Sequence, residues 1–488
     1  MHEHNRFTKL DALILGGILA LAVMTRSYNL TAPLSDFHSW RQADTAAVAR
    51  NFVRDGFNLM QPHYDDLSSV QSGLPNPTGL RYVEYPLYNA TFALLYKIAP
   101  VVPVEVWGRI VTVICSLVVI ALVYYFGRSE VGRLAGAVAA FVYAVFPAFV
   151  FFSRVVLPET PALMLALLSV FFLHRYMLTK KPSVRTYVLL VLSCVMFALA
   201  LLVKPPIIFY GIALAFLFMR KHKFALVGKP EFYLYFVLAG IPLIAWRMFI
   251  QSHPEAIPAS GWLITSVNTF EGAKEIFFRP AFFRWIFYER INLMIFGGFL
   301  TVFFFMGTMS RLKSLFLHSL LASAFAYVFV FQGGNVQHEY YQTIIFPALT
   351  LFTGVGVSLV YHNRRIYFHP ILTGALILFM FVLSFYMSYY YKVKDFYTYP
   401  EDLTLMARII DTFTRPEDRI VADRMGDTTL LYLSDRKGSP MYYGDAETLV
   451  RDGYSYVLTD RKEIITELKS NDKHRILFEN DQFTLFRL

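Results

Sequence analysis

"EYPLYNATFALLYKIAP", residues 84–100, is the stretch on which the topology of this chain turns. It is apolar, yet short for a bilayer crossing, and Pro86 and Pro100 bracket it. A transmembrane helix needs about 20 mostly apolar residues. Eleven other runs reach or approach that length. They lie near 10–27, 106–126, 133–150, 158–177, 186–203, 205–219, 232–250, 291–309, 314–331, 343–361 and 368–391. If 84–100 crossed as well, every later loop would change sides.

Charge decides the matter. With eleven spans and a cytoplasmic N-terminus, the cytoplasmic loops collect Arg128 and Arg133; Arg175, Lys180, Lys181 and Arg185; Arg220, Lys221, Lys223 and Lys229; Arg311 and Lys313; Arg364 and Arg365. The short outer loops hold Arg154 and Lys204. Cytoplasmic loops are the ones enriched in Lys and Arg. Residues 84–100 are therefore read as an amphipathic or re-entrant segment on the outer side. The expected fold is an all-α polytopic membrane protein of about eleven spans, with a large first outer loop (28–105). Residues 1–391 form the membrane domain, and 392–488 form a small α/β domain outside.

Composition agrees. The chain has 488 residues, 56% of them hydrophobic and 16% charged, with mean hydropathy +0.46, as in polytopic membrane proteins. A net charge of +10 raises the question of nucleic acid, but the basic residues sit in short clusters between apolar runs, not on one polar face. Cys115 and Cys194 both lie inside apolar runs, which leaves no disulfide framework and no cysteine metal site. The run after Lys9 lacks a small-residue cleavage site and is expected to stay as the first span.

In the tail, "DRIVAD", "YSYVLTD" and "QFTLFRL" read as strands, while "PEDLTLMARIIDTF" and "AETLVRDG" read as helices with acids near their starts. Asp423, Asp427 and Asp435 read as surface acids. The tail has no Gly-rich phosphate loop, and its expected role is acceptor selection or covering the outer cavity.

The outer face gathers the unusual sequence. "SDFHSWRQAD" (35–44) places Asp36 and His38 just ahead of an S-x-x-Q capping box, Ser39 and Gln42. A helix is predicted from Trp40 to about Asp55, stopped by Gly56, with Arg41, Asp44 and Thr45 on one face. "RYVEYPLYN" (81–89) holds Glu84 before Tyr85 and Pro86, and the proline disfavours helix at Tyr85. Arg154 and Glu159 flank "VVLP" between two spans. There they either stitch helix ends or present a cation to a lipid phosphate. Lys204, before Pro205 and Pro206, either snorkels to the interface or serves the site as a cation. "GGNVQHEYYQ" brings His338, Glu339, Tyr340 and Tyr341 to one turn. Its spacing suits a sugar, met by stacked aromatics and a carboxylate, better than a metal. No cofactor is required by these residues, and a divalent cation stays open.

These pieces together resemble the glycosyltransferase family 39 type of integral membrane enzymes, protein O-mannosyltransferases and aminoarabinose transferases of the GT-C superfamily. The matching segments are the first-loop acid in "SDFHSWRQAD", the Glu84-Tyr85-Pro86 step, "SRVVLPETPAL", "LVKPP" and "HEYYQTIIFPAL", in order over residues 8–361. "HSWRQADTAAVARNF" is most like small bacterial members of the family. The resemblance implies transfer of a sugar from a polyprenyl-phosphate carrier to a lipid, glycan or protein acceptor outside the cytoplasm, with Asp36 as the essential acid. Aminoarabinose transferases have a lysine where this chain has Tyr85, so their particular donor is not implied.

The chemistry suits one acid. A glycosidase needs two carboxylates because an alkoxide leaves poorly. A polyprenyl phosphate leaves as a stable anion, needs cations around it, and leaves one carboxylate to deprotonate the acceptor. Asp36, with Glu84 behind it, is the expected catalytic acid. Arg41, Asp44, Tyr85, Arg154, Glu159, Lys204, His338, Glu339, Tyr340 and Tyr341 are the expected substrate contacts. Rival readings are a flippase or transporter for lipid-linked sugars and a glycan ligase or polymerase. A transport path should place charges inside spans, and the mid-span sequence is almost bare of them.

Overall fold

The computed structural model describes residues 7–179, 183–258, 279–367 and 369–488. Lys180, Lys181 and the part of the outer loop at 259–278 lie outside the described residues. The chain divides into two compact units. One comprises Met1–Leu30, Arg109–Trp246 and Gly261–Phe396; the other comprises Thr31–Gly108, Arg247–Ser260 and Tyr397–Leu488. This division differs from a cut at residue 391, because the large first loop groups with the tail.

The first unit is helical. Helices lie over each of the eleven predicted runs, and among the described residues six are long and apolar enough to cross a membrane, or up to seven if a bent pair counts as one. That pair, Pro280–Ile295 and Leu300–Thr308, turns by 116° at its break. The run 291–309 is thus not one straight span. Gly297 (φ 56°) and Gly298 (φ 84°) sit at the break in a backbone region that L-residues rarely adopt. A Cβ on Gly297 would also lie 1.8 Å from the Ser384 carbonyl oxygen. Elsewhere small residues let helices touch. A Cβ on Gly356 would meet the Phe303 carbonyl at 1.8 Å, so Leu300–Thr308 and Phe346–His362 pack backbone to backbone. Asp11, fully buried, forms an ion pair with Arg128 (2.8 Å) and accepts from Arg133 (2.9 Å) and the Tyr124 hydroxyl (2.8 Å). Two arginines counted as topology signals therefore also anchor the first helix.

The second unit joins the first loop to a five-stranded sheet. β1 (Ile420–Ala422), β2 (Gly438–Ser439) and β3 (Tyr456–Thr459) run parallel; β5 (Thr484–Arg487) is antiparallel to β3 and to β4 (Arg475–Glu479). The strand order is β2-β1-β3-β5-β4. Side chains alternate across the sheet, as a strand's period of two requires. Ile420, Ala422, Leu458 and Leu485 pack under the helix Glu401–Phe413, while Val421, Val457 and Phe486 pack under Ala446–Arg451 and Lys462–Lys469. All three predicted strands and both predicted helices are present. β2, β4 and the helices Thr429–Leu433 and Lys462–Lys469 are additional. Asp423 is not a surface acid. It is buried, bonded by the Tyr442 amide (2.9 Å) and the Thr459 hydroxyl (2.8 Å), and gripped by Arg461 at 2.7 and 2.8 Å.

The loop reaches the sheet directly. The Leu67 amide donates to the Gly438 carbonyl (2.7 Å) and the Gly438 amide to the Asp65 carbonyl (2.9 Å), so residues 65–67 extend the edge beside β2. The stretch 84–100 contains the helix Leu87–Ile98, whose 12 residues fall well short of the roughly 20 a crossing needs.

Candidate active site

In the second unit the site grows from the helix Ser39–Asp55. It ends before Gly56 (φ 99°), as predicted. Its start differs from the prediction. The N-cap is His38, in the left-handed region (φ 59°, ψ 34°), and no side-chain cap bond forms. The predicted capping box is absent because Gln42 is used elsewhere. Its amide donates to the Asp36 carboxylate at 2.6 Å and to the Phe37 carbonyl at 3.1 Å. Asp36 is 3% exposed and Gln42 is fully buried, so this neutral donor fixes one carboxylate oxygen.

The polar face of the helix zips to residues 81–84 by two ion pairs of opposite sense. Arg41 meets Glu84 at 2.5 Å, and Asp44 meets Arg81 at 2.6 Å. Cation and anion sit three apart on the helix, and anion and cation sit three apart on the loop. The Thr428 hydroxyl from the tail also donates to Asp44 at 2.6 Å, and Thr429 lies 3.0 Å from the Ser39 hydroxyl. Tyr85 is half-buried and its carbonyl accepts from the Leu87 amide, with Pro86 capping the helix that follows. Asp36, Arg41, Asp44, Glu84 and Tyr85 thus belong to one unit. Gln42, Arg81 and Thr428 were missed. The complementary signs of Arg41/Asp44 and Arg81/Glu84 carried the signal for Arg81, whereas nothing local pointed to Thr428.

The first unit holds the other candidates. Arg154 is fully buried and donates to the carbonyls of Tyr28 (3.1 Å) and Asn29 (2.8 Å). Lys204 pairs with Glu159 at 2.6 Å and lies 5.2 Å over the Tyr341 ring. Those contacts match the helix-stitching reading. His338 stacks on Tyr340 at 5.2 Å, and Glu339 accepts from Arg290 at 2.8 Å. Arg290 was not anticipated. It lies where the predicted span began, on the kinked segment. With Trp285, Glu289, Gln337, Glu339 and Lys392 it lines a cavity of about 360 Å³. Among the described residues no group of three or more His, Cys, Asp or Glu is placed to hold a metal ion.

Residues 84–248 match the family model of dolichyl-phosphate-mannose-protein mannosyltransferase. No curated protein sequence matches the chain. Among solved structures, the chain is similar to ArnT from Cupriavidus metallidurans bound to undecaprenyl phosphate. The TM-score is 0.64 at 13% identity, over 96% of this chain and 97% of that one. It is also similar to the oligosaccharyltransferase of Archaeoglobus fulgidus in the apo form (TM-score 0.62, 13% identity, 92% of this chain and 69% of that one). A further match is AglB from the same organism, in complex with an inhibitory peptide and a dolichol-phosphate (TM-score 0.55, 11% identity, 93% and 70%). The chain therefore shares the fold of these solved structures.

Proposed function

We propose that the chain is a membrane glycosyltransferase. It moves a sugar from a polyprenyl-phosphate carrier to an acceptor hydroxyl on the extracytoplasmic face, in one inverting displacement. The observation that carries the reading is Asp36, buried and aimed by Gln42 in a chain with the ArnT fold. Asp36 takes the proton of the acceptor hydroxyl. The hydroxyl oxygen forms a bond to the anomeric carbon as the carbon–oxygen bond to phosphate breaks. The electron pair leaves with the polyprenyl phosphate, and no acid is needed. Gln42 positions the base.

Arg41 and Glu84 hold the base-bearing helix to the loop and supply polar contacts to the substrate. Lys204, Glu159 and Arg154 shape the first unit, with Tyr340 and Tyr341 offering ring faces to donor or sugar. Arg290 and Lys392 line a cavity of the first unit and are its cations for an incoming phosphate, which would take the place of Glu339 on Arg290. Membrane lipids surround the protein, and the loop charges favour a C-terminus outside the cytoplasm.

The test incubates the purified protein in lipid nanodiscs with a panel of polyprenyl-phosphate sugars and follows carrier release. Release with at least one sugar, with inverted product, supports the reading. Donor that crosses a vesicle membrane uncleaved would identify a flippase instead.

A further inference from the structure

The second unit contains a larger cleft at the opposite end of the helix Ser39–Asp55. It has a volume of about 610 Å³, within the range of small-ligand sites, and is lined by Arg50, Arg54, Tyr96, Glu105, Tyr432 and Asp435 with the ridge 100–104. Asp36 lies before the start of this helix, and 17 residues at 1.5 Å each put its far end about 25 Å away. The cleft is therefore not part of the bond-making site. Glu105 lies in the first turn of the helix Val104–Glu130.

The lining defines what fits. Each cation already has an acid. Arg50 meets Asp65 (2.5 Å) and Asp435 (2.9 Å), and Arg54 pairs with Asp435. Glu105 accepts from the Tyr432 hydroxyl at 2.8 Å. A phosphate or carboxylate would have to displace these acids. A purely apolar ligand would also fit poorly, because Arg50, Arg54, Glu105 and Asp435 put charged groups into the lining. The Arg50 guanidinium lies 4.2 Å over the Tyr432 ring, so its plane is fixed. Paired planar ions that donate and accept in fixed directions, two tyrosine rings and an apolar ridge suit one class of ligand: an uncharged polyol with hydroxyl edges and C–H faces.

We infer that this cleft is a subsite for a neutral saccharide, the acceptor-side glycan of the transfer proposed above. The inference rests on that reading for its role in the reaction, but not for binding. Hydroxyls of the saccharide exchange for the polar contacts of Arg54, Asp435 and Glu105 in the cleft lining. Arg54 and Asp435 at the rim grip a second sugar unit, and Tyr96 covers a ring face.

The experiment uses the full chain without donor and measures binding by saturation-transfer NMR. The probes are a neutral linear mannotetraose, a tetrauronate of equal length, and inorganic phosphate. The expected result is binding of the neutral probe, unchanged by phosphate. Affinity should fall about tenfold in both Tyr96→Ala and Arg54→Ala, the size expected for one lost charge-assisted or stacking contact. Binding of the uronate or of phosphate in preference to mannotetraose would overturn the ligand class. Absent binding, or binding that both variants keep unchanged, would overturn the site. A chain that binds mannotetraose but never releases carrier would keep the subsite and lose the transferase reading.

Discussion

The two ends of the helix Ser39–Asp55 use the same residue types in opposite ways. At its N-terminal end the ion pairs are closed: Arg41 and Glu84 are 7% and 12% exposed, and Arg81 and Asp44 are 6% and 1%. At its C-terminal end Arg54 and Asp435 are 45% and 42% exposed and border a cleft. Buried pairs hold geometry but punish the loss of one partner; exposed pairs are weak and exchangeable. A displacement reaction needs the first property at its base. A binding surface that must admit and release a glycan needs the second. One helix supplies both because its polar face meets a loop at one end and open space at the other.

The sharpest way to break this comparison is at the base. Asp36→Asn keeps an acceptor for the Gln42 amide and removes the proton acceptor, so turnover should fall about 10²–10⁴-fold with folding intact. Carrier release above about a tenth of wild type would move the base elsewhere, with Glu84 the first alternative. Next, Arg81→Ala leaves the buried Asp44 without its cation while the Thr428 hydroxyl still donates to it. It should cost about 3–5 kcal/mol, read as a lowered denaturation midpoint. The double variant with Asp44→Ala should recover part of that loss. If it does not, the pair does not hold the loop.

Asp66 tests the closed end through pH. Burial is the main cause that pushes its carboxyl up to about 7, opposed by hydrogen bonds from Ser68 and reinforced by the nearby Asp44 charge. An acid raised in the folded state stabilises the fold while protonated. Its contribution is full below the unfolded pKa, about 4, and is lost as pH rises through about 7. Thermal midpoints of wild type should therefore fall across that window, and Asp66→Asn, which keeps an acceptor for Ser68, should flatten the slope. Equal slopes would place the cost elsewhere.

Gln42→Leu should be milder. Losing one hydrogen bond to a charged group should lower kcat about tenfold, with the KM for donor unchanged. A change confined to KM would remove Gln42 as the residue that positions the base.

Much of the architecture was legible because membrane spans announce themselves by length and by loop charge. The helix from about Trp40 to Asp55 and its glycine stop were read from local pattern, and 84–100 was read as an amphipathic or re-entrant segment that does not cross. What escaped depends on distant chain. Gln42 matches a capping box in spacing, yet its side chain turns back to Asp36, an outcome that spacing alone does not distinguish. Thr428 lies 384 residues from Asp44, and no local rule links them. Lys204 looked available because it stood alone on a positive-poor side, but Glu159 was already its partner in space. Arg290 looked like the edge of a span, and the break at Gly297 and Gly298 instead leaves it beside a cavity.

The smallest effect belongs to the open end. Arg54 and Asp435 form an ion pair with both side chains nearly half in water, and such pairs contribute about 0–1 kcal/mol. Arg54→Ala should therefore leave the denaturation midpoint almost unmoved, whereas Arg81→Ala, at the closed end of the same helix, should lower it clearly. Salt separates the two further, because screening acts on exposed charges and hardly on buried ones. Raising ionic strength should erase what little Arg54 contributes and leave the cost of Arg81→Ala in place. If Arg54→Ala were as damaging as Arg81→Ala, and equally insensitive to salt, the cleft end would be as closed as the base end. A cleft that rigid could not exchange its ion pairs for the hydroxyls of a sugar.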